Sequence, residues 1–357
     1  MPQFTGQLRQ NEILGAIYNM IISQQVYADN IKGTYSKLVD EARTDGSLYG
    51  DTKLYYATDV LASNEWMKDA EATNLLKLHR PKAPECQAIY LDTFRQIPLT
   101  VDNYLTKRAF SDEYTFSQFN AVMMGWIRDT KRVYDSTTYN SYIGTAKGAT
   151  PRQNIEFALS DVISNLEGEE KARMEGMTIA QKIADLLVEL TDISRDFNDY
   201  GFLRSYSEEE IKIVWNSKWL NKISKLDLPT IFHKEALVKK LGDYSLPARY
   251  FGEVIAESGV STGEQRSLVE KTYEDGTHIF AGDIIPTGKA YDANEAYTPD
   301  EDIICKIVVK LPPFMSAFET GTSFFNPRSL TETHFLTWGH NKIEYLKNYP
   351  MIAVHSD

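Results

Sequence analysis

A chain of 357 residues can form one large or two ordinary domains with a substantial core. Its hydrophobic fraction of 42% and charged fraction of 25% are those of an ordinary globular protein. A formal net charge of −12 argues against a general polyanion binder, because phosphate contacts need lysine and arginine in excess, and it keeps copies apart until specific contacts form.

Residues 11–28, NEILGAIYNMIISQQVYA, place Ile13, Leu14, Ile17, Met20 and Ile21 on one helical stripe, with Asn11 as the N-cap. No apolar run approaches a membrane span, and the opening residues lack the charged, apolar, small order of a secretory signal. Gly46 and Gly50 break the helical pattern. Two extended arms follow, 54–59 and 86–101, separated by a polar stretch ending in Pro81 and Pro84. The second arm is rich in aromatic and β-branched residues, and its Pro98 fits an edge strand but not a central one. Such a hairpin is marginal alone and is expected to lie on something else.

Residues 114–137 carry the clearest helix. Phe116, Phe119, Met123, Trp126, Ile127, Thr130 and Tyr134 recur at helical spacing, and Gly144, Gly148 and Pro151 mark its end. A second helix is expected from Thr178, which makes a capping box with Gln181; Ile183, Leu186, Leu187, Leu190 and Ile193 form its buried side. Ile211, Ile213 and Trp215 alternate as a strand, and residues 228–242 read as a short amphipathic helix stopped by Gly242. Strand-like pieces follow around 250–256, 279–285 and 303–311, and the tail over 323–354 is extended and aromatic. There is no internal repeat. The class is α+β, with helices and strands segregated and a long arm.

Candidate chemistry is sparse. GVSTG, residues 259–263, has the spacing of a nucleophile elbow, in which Ser261 would attack with help from His334 or His355. The following EQRSLVEK is too polar for the buried helix behind an elbow, so a serine-rich surface loop is expected and a serine hydrolase stays an alternative. DANEAYTPDED lacks the glycine and terminal glutamate of a calcium loop and reads as a solvated acidic loop, while GTAKGAT and PTGKAY lack the order of a phosphate cradle. Cys86 and Cys305 make no disulfide framework and read as inert thiols of a reducing, intracellular protein. His79, His233 and His278 stand alone. In THFLTWGH, residues 333–340, the two histidines lie roughly 20 Å apart on a strand, too far to share one ion. On strand parity Glu332, His334, Leu336, Trp338 and His340 form one face and Phe335 the other, and a turn at Gly339 and Asn341 would put His340 at its tip. Leu336 and Trp338 are the residues expected to matter there. No catalytic residue, cofactor or metal site is expected.

Four stretches follow one another in a recognisable order: GDTKLYYATDV with CQAIYLDTFRQIPLTVDNYLTKRAF; FSQFNAVMMGWIRDTKRVYDSTTYNSYIGTAKG; RSYSEEEIKIVWNSKWLNKISKLDLPTIFHKEAL; and FNPRSLTETHFLTWGHNKIEYLKNYPMIAVHS. Together they resemble the Hong Kong 97-type major capsid proteins of tailed bacteriophages, most of all the head proteins of small short-tailed phages. The resemblance implies an N-terminal arm (1–48), an extended loop hairpin (49–105), a peripheral domain with a long spine helix (106–150 and 312–357) and an axial α/β domain (151–311). It implies a structural protein, made in the host bacterial cytoplasm, whose hexamers and pentamers tile an icosahedral virion shell. That shell would enclose double-stranded DNA without sequence-specific binding and without a membrane, with a scaffolding protein and a portal as partners. Leu54, Tyr55, Tyr56, Tyr90, Phe94 and Ile97 would lie on a neighbouring subunit. Phe116, Phe119, Met123 and Trp126 would pack on the closing strands at Leu336 and Trp338. A portal or tail component is the other virion reading.

Overall fold

The computed structural model describes residues 37–45, 52–63, 78, 80–102, 113–164, 166–223 and 244–357. The helices expected over 11–28 and 228–242, and with them His79 and His233, lie outside the described residues. In chain order the first elements are α1 (Lys37–Ala42), β1 (Arg43–Asp45), β2 (Thr52–Ala57), β3 (Glu85–Asp102) and α2 (Glu113–Thr145). Then come β4 (Asn154–Phe157), α3 (Ser160–Ile163), α4 (Gly168–Thr191), β5 (Lys212–Asn216), α5 (Ser217–Ile223) and β6 (Tyr244–Leu246). The chain closes with β7 (Ile303–Val308), β8 (Phe314–Asn326), β9 (Thr331–Asn341) and β10 (Met351–Ser356).

These strands form two five-stranded sheets, ordered β1-β8-β9-β3-β2 and β4-β10-β7-β5-β6. In the first, β3 is long enough to serve two partners. Its start pairs with β2, from Thr52 opposite Tyr90 to Ala57 opposite Glu85, and its remainder pairs with β9, from Asn341 opposite Leu91 to Thr331 opposite Asp102. Pro98 is opposite Phe335 of β9 and beyond the reach of β2, so β3 is locally an edge there, where proline is tolerated. In the second sheet the central strand β7 is buried at all six positions, as a strand covered on both faces must be. On one side Ile304, Cys305 and Ile307 join Ile213, Trp215, Ile352 and Val354 against Ile179, Ile183, Leu187 and Leu190 of α4. On the other side Val214, Ile303, Val308 and Met351 meet Tyr139 and Ile143 of α2.

Several boundaries differ from the sequence expectation. Helix α2 runs on to Thr145, because the polar run after Tyr134 is buried against protein and not exposed. Helix α4 starts at Gly168, ten residues before Thr178; its first turns are acidic and mostly exposed, so they carry no apolar stripe to read, although Glu169 and Glu170 suit a helix N-terminus. Around 279–285 only His278–Ile279 is strand, and the chain turns at Gly282 with φ 86°. β10 pairs with β4 and β7 in the second sheet, whereas β8 and β9 lie in the first. Residues 252–299 form short pairings, including Gly252–Val254 with Ala296–Pro299, over a small core of Ile279, Ile285 and Ala296.

Gly144, in the last turn of α2, shows how closely this region approaches the helix. A Cβ built there would sit 2.1 Å from the Tyr250 carbonyl oxygen, so only glycine fits. Truncating the fully buried Ile307 to alanine should cost about 2–5 kcal/mol, read as a lower urea midpoint at unchanged m-value.

Candidate assembly surface

The hairpin of β2 and β3 has one closed and one open face. Exposure alternates residue by residue along both strands. Leu54, Tyr56, Tyr90 and Phe94 point outward and are 51–65% exposed. Tyr55 and Ile97, expected with them, alternate to the other face and are half-buried. There the Lys310 ammonium lies 5.5 Å from the Tyr55 ring centre, and burial raises the Tyr55 hydroxyl pKa.

Polar contacts hold the connecting end of the hairpin against the chain's own body. Arg195 donates to Asp59 at 2.7 Å, the Leu203 N–H donates to the same carboxylate at 3.0 Å, and Arg204 donates to the Thr58 carbonyl at 2.6 Å. The Arg195 hydrogen bond is the main reason the Asp59 carboxyl is pulled down to about 2. Gln87 donates to the Tyr345 carbonyl and accepts from the Lys347 N–H, each at 3.0 Å. The arm therefore lies on its own chain through one face and keeps an aromatic face in solvent.

The β8–β9 end extends that apolar exposure. Phe324, Phe325 and Leu330 are 62%, 48% and 46% exposed around the NPRSL turn, and Leu330 holds φ 54°. The exposure of these side chains is not anticipated from the sequence; the available signal is FFN immediately before a proline. Trp126 corrects another expectation. It is 63% exposed and so does not pack on the closing strands, because the helix face at that level is turned to solvent while Met123 and Ile127 turn inward. The side chains of Phe116 and Phe119 lie outside the described residues.

Between α2 and the first sheet lies a buried polar seam. Tyr134 donates to His340 Nε2 at 2.7 Å, which makes His340 Nδ1 the donor to the Asn341 carbonyl at 2.8 Å. Trp338 meets Tyr134 edge-on at 5.5 Å, and His340 stacks on Phe314 at 5.2 Å. Alongside on α2, Lys131 and Arg43 hold the Asp135 carboxylate at 3.1 and 3.3 Å. Burial outweighs both cations and raises the Asp135 pKa. His340 is thus not at a turn tip. β9 runs straight through Gly339, whose missing Cβ makes room for the Phe94 ring, and His340 is buried and bonded at both nitrogens. Trp338 is buried, as a packing residue would be, and Leu336 is half-buried.

The remaining candidates are structural. Ser261 is 3% exposed rather than in a surface loop; its hydroxyl donates to the Ile285 carbonyl at 2.7 Å and accepts from the Gly263 N–H at 3.0 Å. A hydroxyl held in that way serves the turn and is not presented to a base. The acidic stretch is partly strand, with Ala296 and Tyr297 fully buried and Asp292 paired to Lys271 at 2.8 Å. His278 pairs with Glu270 at 3.0 Å and His355 lies 3.6 Å from Asp300. Cys305 is buried, which raises its thiol pKa, and Cys86 is exposed on β3. Lys306, fully buried on β7, donates to the Ala146 carbonyl just past the end of α2 at 3.0 Å; burial pulls its pKa down to about 7. Among the described residues no cluster of metal-ligating side chains forms, and no helix is long and apolar enough to cross a membrane.

No family model and no curated protein matches the sequence. Solved structures do. A chain of the capsid of Staphylococcus phage Andhra aligns over 92% of this chain and 86% of its own, with TM-score 0.61 at 10% identity. A chain of the structure of the head fibre and inner core protein gp22 of native bacteriophage P68 aligns over 99% and 88%, with TM-score 0.61 at 11% identity. The α+β fold of this chain is thus shared, almost end to end, with a phage capsid chain.

Burial lowers the His340 pKa, so between that value and the ordinary value near 6.5 the unfolded chain binds a proton that the folded chain refuses. The His340 contribution to stability should be complete above about pH 6.5 and fall as pH drops below it, with His355 acting in the same direction. Lys306 adds no slope there, because its window lies between about 7 and 10.5. Urea midpoints between pH 7 and 5 should fall more steeply for the native chain than for His340→Phe.

Proposed function

We propose that the chain is a major capsid protein, a structural subunit with no catalytic role whose hexamers and pentamers close an icosahedral shell around double-stranded DNA. The near-complete likeness in fold to a capsid chain carries this reading. The long hairpin, the long helix and the second sheet then correspond to the extended loop, spine helix and axial domain of the Hong Kong 97-type architecture. Scaffolding and portal proteins would be its partners in the virion.

The surface supports the same reading. Solvent-exposed aromatic side chains on a rigid, anchored strand are a liability on a lone subunit and an anchor on a partner. Leu54, Tyr56, Tyr90 and Phe94 are the hairpin residues placed to meet a neighbouring copy; Tyr55 and Ile97 serve their own subunit instead. Each contact need only be of standard size, because a closed shell makes many at once.

Replacing Tyr56 and Tyr90 together with aspartate should leave a soluble subunit with native circular dichroism and thermal midpoint but abolish assembly. Negative-stain images of the native chain should show shells or hexameric and pentameric capsomers. Twelve-fold rings would instead indicate a portal, and normal shells from the double variant would remove the hairpin contact. The acidic chain should also hold DNA without gripping it. Duplex binding by capsomers should be weak, and a strong affinity that collapses with added salt would contradict the proposed wall.

A further inference from the structure

A cavity of about 500 Å³ opens between the C-terminal half of α2, the β3–β9 edge and the 252–299 region. Its size is that of a small-molecule site. Leu268, Val269 and Ile343 supply apolar wall. The polar part of the lining is one-sided. Arg95, Lys147 and Lys342 reach it, and no aspartate or glutamate among the described residues lines it, although the chain as a whole carries an excess of acid.

The hydroxyls repeat that bias. Tyr142 accepts the Tyr345 N–H at 2.8 Å, and no described group accepts its own proton. The buried Thr138 hydroxyl has no hydrogen-bond partner among the described residues. Arg95 donates to the Glu270 carbonyl at 3.2 Å and stacks over Tyr134, and it shares the Glu270 carboxylate's field with His278, which pairs with that carboxylate at 3.0 Å. Lys147 is partnered by Glu253 at 3.3 Å, but both are exposed, where such a pair is weak. Buried donors without acceptors are costly, and a ligand that brings the acceptors removes that cost.

The geometry points to a binding site for a small amphipathic organic acid, with its apolar body on Leu268, Val269 and Ile343 and its carboxylate received by Arg95, Lys342 and the Tyr142 hydroxyl. An apolar compound would leave the donors unpaired, and a fully hydrated anion would leave the apolar wall uncovered. The site is independent of the shell reading and can be tested on unassembled subunits.

Isothermal titration of the full chain with 2-naphthoate should give saturable binding at one site, and the neutral 2-naphthalenemethanol should bind at least about tenfold more weakly, the loss of one charge-assisted contact. Arg95→Gln should narrow that difference by weakening the acid and not the alcohol. Because Arg95 also braces Glu270, Lys342→Gln on an exposed residue provides the same comparison without a buried change. Val269→Trp, which fills the cavity, should remove binding of both. The proposal is overturned if naphthoate shows no saturable binding up to millimolar concentration, if acid and alcohol bind equally, or if a folded Val269→Trp variant binds as before.

Discussion

The structure depends on one long helix being packed against two sheets at once. The 33 residues of α2 make a rod about 50 Å long. Its middle receives Trp338 and His340 from the first sheet, and its end makes Tyr139 and Ile143 contacts with the second, closed by the Lys306 amine on the Ala146 carbonyl. The lysine amine satisfies a carbonyl just past the helix end, and this bond ties the rod to the central strand of the second sheet. The relative placement of the two sheets is therefore set by where α2 is held, and Gly144 allows the Tyr250 segment to approach within contact of the same turn.

That arrangement also explains why one face is open. The second sheet is covered twice, by α4 on one side and α2 on the other, and its central strand is apolar except for Lys306. Among the described residues the first sheet has a long helix on one side only. Every second residue along β3 then faces solvent, and in this chain several of those residues are aromatic or aliphatic. The exposure of Tyr56, Tyr90 and Phe94 follows from topology and strand parity, with no local irregularity needed.

Much of this is legible in residues 52 to 102. Period-two alternation, a proline tolerable only at an edge and a polar connection identify the hairpin correctly. Alternation also contains the information that Tyr55 and Tyr56 face opposite ways, but both are aromatic, and composition does not say which is covered. That is decided by Lys310 and the 194–204 segment, distant in sequence. Trp126 misleads for the converse reason. A broad apolar stripe on a helix does not declare its centre, and the buried line through Met123, Ile127, Lys131 and Tyr134 includes a lysine that hydropathy assigns to solvent. Strand parity places His340 correctly on the Trp338 face, and the turn that Gly339 also suggests does not form, because it is a strand glycine admitting a neighbouring ring. Buried polar residues are hardest to read, since their partners come from elsewhere in the fold.

The two faces of the hairpin differ in the kind of contact they offer. On the inner face, directional bonds from Arg195, Arg204 and Gln87 fix the arm's orientation as part of the subunit's own folding. On the outer face, apolar side chains are then presented already ordered, so a partner that covers them loses little conformational freedom in doing so. Net negative charge opposes close approach of copies at long range, and only contacts that bury enough apolar surface at short range overcome it. Under the capsid reading proposed above, a chain built in this way would stay apart from random partners and join its own kind only where strand, ring and charge all match.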